Sequence, residues 1–130
     1  MLYVVLVSNS RNITVSVHIL QGIVLDTTSW AVPIGTICNE LVTNAIKYAF
    51  TTQNTEGSIS VTFTDLQTAL QLEVSDTGTG LKQPLSQLIE QKTSGGLSLV
   101  KDYVDILQGV FESTANTPSG TRYVVRLPFK

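Results

Sequence analysis

A carboxylate followed by two closely spaced glycines is the feature of this chain with the clearest chemical meaning. Asp76 ends an apolar alternation over residues 70–74 and is followed by Gly78 and Gly80. The alternation predicts a buried strand, and the glycines after it allow a tight turn. A carboxylate at such a strand end can accept a hydrogen bond from the exocyclic amine of adenine, whereas guanine presents an acceptor there.

A second glycine pair suits the other end of a nucleotide. Gly95 and Gly96 precede a helical pattern that continues through Leu97. The free amide groups and the positive dipole end of a helix N-terminus favour phosphate oxygens. Either glycine motif alone is more typical of an ordinary turn, so the inference of an ATP site depends on their combination.

An amphipathic helix upstream carries further side chains capable of this chemistry. Its polar residues share one sector of a helical wheel and are Thr36, Glu40, Thr43, Asn44 and Lys47. The Asn44 carbonyl could ligate Mg²⁺, and Lys47 could neutralise phosphate charge. Glu40 could orient or deprotonate a nucleophile beside the γ-phosphate. Since an ordinary surface helix would show the same polar face, the helix alone does not establish a site.

Composition limits the class of protein. The 130 residues fit one domain, 1–130, and 42% of them are hydrophobic, which is enough for a core. A net charge of −2 argues against a nucleic-acid partner, because phosphate binding needs a basic face. Cys38 is the single cysteine and cannot form an internal disulfide. No apolar run approaches the ~18 residues of a membrane span. These features predict a cytoplasmic protein.

Periodicity predicts an α+β fold, with helices on one face of a mixed, mostly antiparallel sheet. The predicted strands cover residues 13–19, 59–63, 70–74, 110–113 and 123–127. One helix is expected from the turn that contains Pro33 to about residue 50, and another from about residue 94 to a C-cap at Gly109. Residues 80–94 read as a polar segment with one apolar turn. The β-branched content of residues 1–7 makes a helix doubtful there and fits an extra strand, or an exposed apolar patch that pairs with another chain.

Four ordered motifs resemble the ATP-binding domain of the GHKL superfamily, which includes gyrase, Hsp90, histidine kinases and MutL. They are the run Asn39–Phe50, the Asp76-x-Gly78-x-Gly80-Leu81 box, the run Gly96–Val100, and Gly120-Thr121-Arg122-Tyr123. The match spans residues 11–129 and is closest to bacterial sensor histidine kinases with a short lid. The resemblance implies a Bergerat-type two-layer sandwich that uses ATP and Mg²⁺.

The resemblance also implies a role for each matched residue. Asp76 would bind adenine N6 with Thr121 in support through water, beside Gly78 and Gly80. Tyr48 would lie by the base or ribose, and Asn44 would hold Mg²⁺. Glu40 and Lys47 would be the catalytic residues, as general base and phosphate ligand. The backbone of Gly95, Gly96 and Leu97 would line the phosphates.

The chain departs from the family pattern at Thr77, where Asn is usual, and at Gly95, where Leu is common. No segment resembles the helical hairpin that carries a phosphoacceptor histidine. His18 is the only histidine, and the alternation of its predicted strand places it on the face away from the core. The resemblance therefore implies that the γ-phosphate goes to a histidine on a separate helical domain, in cis or in trans, and that a response regulator is an indirect partner.

Two other functions are compatible with these residues. An anti-sigma-factor-like serine kinase, or another GHKL ATPase, would also carry a glutamate at the position of Glu40. A nucleotide-sensing or dimerisation module would keep the fold without turnover, and a homodimer stays open. The residues 47–50 and the Gly120-Thr121 ending favour the histidine kinase.

Overall fold

A computed structural model describes residues 2–8, 13–19, 31–49, 57–91 and 96–129 of the chain. The strands are β1 (Leu2–Ser8), β2 (Ile13–Ile19), β3 (Gly57–Asp65), β4 (Ala69–Asp76), β5 (Val110–Ala115) and β6 (Thr121–Pro128). The helices are α1 (Ala31–Asn44), which continues as a π-helical segment (Ala45–Ala49), α2 (Leu85–Gln91) and α3 (Gly96–Ile106). No helix among these residues is long and apolar enough to cross a membrane.

The described strands form one six-stranded sheet in the order β1-β2-β3-β4-β6-β5. Only β2 and β3 pair in parallel, whereas the other neighbours are antiparallel. A parallel pair needs a long crossover connection, and α1 lies in the connection between β2 and β3. The predicted mixed, mostly antiparallel sheet is confirmed.

The core lies between the helices and one face of this sheet. Every second residue of β4 is buried, as the apolar alternation predicts, and the last of these buried residues is Asp76. The apolar sector of α1 is also buried, with Ile37 and Leu41 both 0% exposed. Val100 and Val104 of α3 contribute to the same cluster. Helices on one face of the sheet are therefore confirmed, and Asp76 is the polar end of a core strand.

The N-terminal residues form an extra strand, which is one of the two alternatives that their β-branched content favoured. β1 pairs antiparallel with β2, from Leu2 opposite Ile19 to Ser8 opposite Ile13. His18 stands between Tyr3 of β1 and Thr62 of β3 in this register. It alternates with buried Ile13 and Val15, so it belongs to the sheet face opposite the helices, as predicted.

The end of α3 differs from the predicted C-cap by one residue. Gln108, not Gly109, takes the left-handed conformation, with φ 59°. The Gly109 N–H donates to the Val104 carbonyl at 2.9 Å, and the Gln108 N–H donates to Asp105, which is a Schellman motif. Glycine is required at 109 for space instead, because a Cβ there would collide with the Arg126 carbonyl.

The segment after Gly80 contains more helix than its polar composition predicts. The predicted apolar turn extends into α2 (Leu85–Gln91). Leu85, Leu88 and Ile89 pack against the core as partly buried residues. Spacing of three and four residues places these three side chains on one helical face, which explains why a short helix forms there.

Candidate functional site

Asp76 is a buried carboxylate at the end of β4, with 2% of its surface exposed. Its Oδ1 accepts hydrogen bonds from the backbone N–H groups of Gly78 at 2.9 Å and Thr121 at 3.2 Å. Burial raises the pKa of the Asp76 carboxyl, and the two backbone hydrogen bonds offset part of that shift. The hydrogen bonds to this carboxylate among the described residues all use Oδ1, so Oδ2 is the oxygen that can serve a ligand.

The turn between β5 and β6 closes over this carboxylate. Gly120 has φ 104°, and a Cβ there would collide with the Asp76 backbone carbonyl. Asn116 donates its Nδ2 to the same carbonyl at 2.8 Å. Gly80 has φ 82°, and a Cβ on it would lie 3.5 Å from the Gly120 carbonyl oxygen. The absence of a side chain at Gly120 therefore lets the turn approach the Asp76 backbone directly, whereas glycine at 80 suits its left-handed backbone.

Asn44 is the last residue of α1 and is only 7% exposed. Its Nδ2 lies 3.5 Å from the Tyr123 hydroxyl. Its Oδ1 is buried and has no hydrogen-bond partner among the described residues. Leaving a buried carbonyl unpaired is costly. The atom therefore fits a site for a cation or a donor, and an amide oxygen is a ligand type that Mg²⁺ accepts.

Tyr123 was not identified as a site residue from the sequence. It is 2% exposed and faces Val74 across the β4–β6 ladder. Burial raises the pKa of the Tyr123 hydroxyl to about 12; the Asn44 hydrogen bond lowers it and the Asp76 charge raises it. The sequence did contain a signal for Tyr123, because it stands two residues after Thr121 on one strand. That spacing places both side chains on the same face, which is the core face.

A small cavity connects these groups. Its volume is about 40 Å³, and it is lined by Asn44, Ala45, Asp76, Gly80, Leu81, Thr121 and Tyr123. An open groove of about 700 Å³ borders it between residues 79–85 and the β5–β6 turn. The groove shares Gly80, Leu81 and Thr121 with the cavity. The buried polar side chains of Asn44, Asp76 and Tyr123 line the small cavity, not the groove. A cavity of about 40 Å³ must widen before it admits a purine base.

Glu40 stands beside the first residue of α3. The side chain is half-buried, and a Cβ at Gly96 would collide with its Oε2. The absence of a side chain at Gly96 thus allows α1 and the N-terminus of α3 to approach closely. Leu97 is 1% exposed and its side chain belongs to the core, so only its backbone can line a ligand site.

The family model for histidine kinase-, DNA gyrase B- and HSP90-like ATPases matches residues 31–130. The chain belongs to this ATPase family. The match includes all the site residues described above, so the resemblance inferred from the four sequence motifs is confirmed. A search of the curated proteins gave no significant match.

Solved histidine kinases share the fold of this ATPase domain. A blue-light activated histidine kinase, EL346 of Erythrobacter litoralis, has a TM-score of 0.74 at 24% identity, over 90% of this chain and 35% of that one. The ATP binding domain of PrrB from Mycobacterium tuberculosis has a TM-score of 0.69 at 16% identity, over 95% and 83% of the two chains. The histidine kinase AdeS of Acinetobacter baumannii gives 0.67 at 17% identity, over 90% and 54%. The chain thus spans about a third of EL346 and about half of AdeS.

The ATPase fold brings several predicted site residues together and leaves others apart. Asn44, Asp76, Gly80 and Thr121 share the small cavity. Gly78 contributes its backbone N–H to Asp76. The remaining predicted residues fall into two groups. Lys47 is exposed on the π-helical segment, and Glu40 and Gly96 form a separate contact. The side chain of Tyr48, and Gly95 altogether, lie outside the described residues.

Proposed function

We propose that this domain is the ATP-binding catalytic part of a two-component sensor histidine kinase, which binds Mg²⁺–ATP and transfers the γ-phosphate to a histidine on a separate helical domain. One observation carries the proposal: Asp76 and Asn44 line the same small cavity, and the Asn44 Oδ1 has no hydrogen-bond partner among the described residues. Family membership and the kinase-like fold support it.

Asp76 would select adenine. The two backbone donors hold Oδ1, so the carboxylate has a set orientation and Oδ2 would accept from adenine N6. Guanine presents an oxygen at that position, and two acceptors would face each other in a buried space. Thr121 is 3% exposed beside Asp76 and would assist through a water molecule.

Asn44, Lys47, Glu40 and the N-terminus of α3 would act at the phosphate end. When bound, Mg²⁺ would offset the charge of the phosphate oxygens. Asn44 would hold the ion through Oδ1, and exposed Lys47 would neutralise further phosphate charge. The backbone at Gly96 starts α3, where helix amides favour phosphate oxygens. Glu40 would orient the attacking nucleophile or take its proton.

Titration calorimetry with ATP and with GTP tests this assignment. In the presence of Mg²⁺, the domain should bind ATP much more tightly than GTP, because the Asp76 acceptor repels the guanine oxygen. Equal affinity for the two nucleotides would contradict the role of Asp76 and hence the adenine site.

Asn44→Ala should weaken nucleotide binding in the presence of Mg²⁺ more than in the presence of EDTA. The reason is that alanine removes the only proposed protein ligand of the metal, whereas adenine recognition stays with Asp76. Calorimetry under both conditions provides the comparison. Asn39→Ala, at an exposed position of the same helix, is the matched control. Equal losses with and without Mg²⁺ would mean that Asn44 has a structural role.

The segment 82–94 should exchange its amide hydrogens more slowly after nucleotide is added. Residues 82–84 are exposed, and α2 is held through only three partly buried apolar side chains. Segments with few buried contacts open at low free-energy cost, and a bound nucleotide would add contacts on this side of the cavity. Hydrogen exchange measured by mass spectrometry reports the difference. Strong protection without nucleotide would show a fixed element instead of a lid.

The chain alone should bind ATP without phosphorylating itself. Phosphoryl transfer needs the acceptor nitrogen in line with the γ-phosphate and near contact. His18, the only histidine, lies on the sheet face opposite the helices. Incubation with labelled ATP, followed by a test for acid-labile and base-stable label, checks this expectation. Stoichiometric label that disappears in His18→Ala would overturn it, and with it the need for a histidine-bearing partner domain.

A further inference from the structure

The Tyr123 hydroxyl contacts the proposed metal ligand but has no part in the function described so far. Its oxygen accepts a long hydrogen bond, 3.5 Å, from Nδ2 of Asn44. The two residues are 79 positions apart in the chain. Both line the small cavity together with Asp76. The contact is therefore a tertiary one at the centre of the site.

The central sheet sets the position of this hydroxyl. The backbone of Tyr123 pairs with Val74 of β4 on one side and Ser113 of β5 on the other. Its ring centroid lies 6.0 Å from that of Phe111 at an angle of 37°. Asn44, in contrast, is the residue at which α1 changes to π-helical winding. The strand thus provides the fixed member of the pair, and the helix end provides the member whose side chain must be oriented.

Because the Asn44 amide is planar, fixing the position of Nδ2 also fixes the direction of Oδ1. When Nδ2 is anchored on the Tyr123 hydroxyl, Oδ1 must point away from Tyr123. That oxygen is the buried acceptor without a partner among the described residues. The reversed amide would place two N–H donors where Oδ1 now lies, and these donors would repel a cation. A tyrosine hydroxyl can accept from Nδ2 or donate to Oδ1, and the structure pairs it with Nδ2. The identity of the anchored atom therefore decides whether the amide can ligate a metal.

We propose that Tyr123 is a positioning residue, whose hydroxyl orients the Asn44 amide so that its carbonyl oxygen faces the metal of a bound metal–nucleotide complex. The inference rests on the proposed function and adds to it a residue on β6. A neutral hydroxyl accepts the Asn44 hydrogen bond without adding a negative charge to the cavity.

Tyr123→Phe tests the proposal, because it removes the hydroxyl and keeps the ring. The measured quantity is the ratio of ATP affinity with Mg²⁺ to ATP affinity in EDTA. Loss of one hydrogen bond should reduce this ratio about 3- to 10-fold and leave the EDTA affinity unchanged. Tyr103→Phe, a half-buried tyrosine of α3 packed against the core, is the matched control and should leave the ratio unchanged.

The outcomes separate this inference from the proposed function. A Tyr123→Phe protein with the wild-type ratio, or with equal losses under both conditions, would overturn the positioning role alone. A wild-type protein that binds no ATP under either condition would overturn the proposed function and the positioning role together.

A second measurement needs only the wild-type domain. The side-chain NH₂ signals of Asn44 can be assigned in a nitrogen-15 spectrum by their loss in Asn44→Ala. Without nucleotide, these NH₂ protons should exchange slowly with solvent, because one of them is hydrogen-bonded to the Tyr123 hydroxyl inside the cavity. Rapid exchange, at shifts typical of a solvated asparagine, would overturn the anchored orientation even if Tyr123→Phe failed to fold.

Discussion

Asp76→Asn should lower the affinity of the domain for Mg²⁺–ATP about 10- to 150-fold, which corresponds to the ~1.5–3 kcal/mol of a hydrogen bond to a charged group. The asparagine keeps the size of the side chain and an oxygen for the N–H groups of Gly78 and Thr121. It replaces the acceptor Oδ2 with an NH₂ donor, which would face the donor amine of adenine. Titration calorimetry measures the change. Asp102→Asn, at an exposed position of α3, is the control with the same change of charge.

The same substitution should not destabilise the nucleotide-free domain. Burial raises the pKa of the Asp76 carboxyl, so the folded state binds this proton more tightly than the unfolded state does. That preference stabilises the fold at low pH and is lost as the pH rises through the raised value. Asp76→Asn should therefore unfold at the same or a higher temperature than the wild type at neutral pH, and the difference should shrink on acidification. If Asp76→Asn lost much stability at pH 7, or kept the wild-type affinity for ATP, the assignment of Asp76 as the adenine acceptor would be contradicted.

Gly120→Ala should reduce the free energy of unfolding by about 2–5 kcal/mol, the sum of a left-handed backbone cost of ~1–2 and an overpacking cost of ~1–3. Gly120 has φ 104°, and its added Cβ would meet the backbone carbonyl of Asp76, which cannot move without disturbing β4. Urea denaturation followed by circular dichroism measures the loss.

Gly35→Ala is the contrasting control for that experiment. Gly35 lies within α1, and a Cβ there would meet nothing within 4 Å. Alanine at this site should stabilise the domain by ~0.5–1 kcal/mol through helix propensity. If Gly120→Ala were as well tolerated as Gly35→Ala, the close approach between the β5–β6 turn and Asp76 would not exist in the folded protein.

Much of the architecture could be predicted from local patterns. Alternation over residues 70–74 placed a buried strand before Asp76, and the helical wheel of α1 separated its buried side, with Ile37 and Leu41, from its polar side. These features depend on periods of two and 3.6 residues, which a sequence displays directly. The order of the glycine motifs was also sufficient to indicate the ATPase family.

Local patterns were less reliable where several backbone solutions compete. Gly109 was expected in the left-handed position after α3, but Gln108 takes it and Gly109 is needed for contact with β6. The length of α2 was missed because a seven-residue helix depends on the packing of its apolar side chains against the core more than on its own propensity.

The sequence by itself determined which residue types could bind a nucleotide and on which elements they lie, because those elements follow from short-range periodicity and turn chemistry. Only the tertiary structure decided how they meet. The pairing of Asn44 with Tyr123 spans 79 positions, and the Asp76 hydrogen bond from Thr121 spans 45. Such contacts depend on strand order and on how closely a helix end approaches the sheet, and no local pattern encodes either. For the same reason, the sequence shows Asn44 only as one polar residue on a helix face. In the fold it is a buried amide whose oxygen has no partner among the described residues.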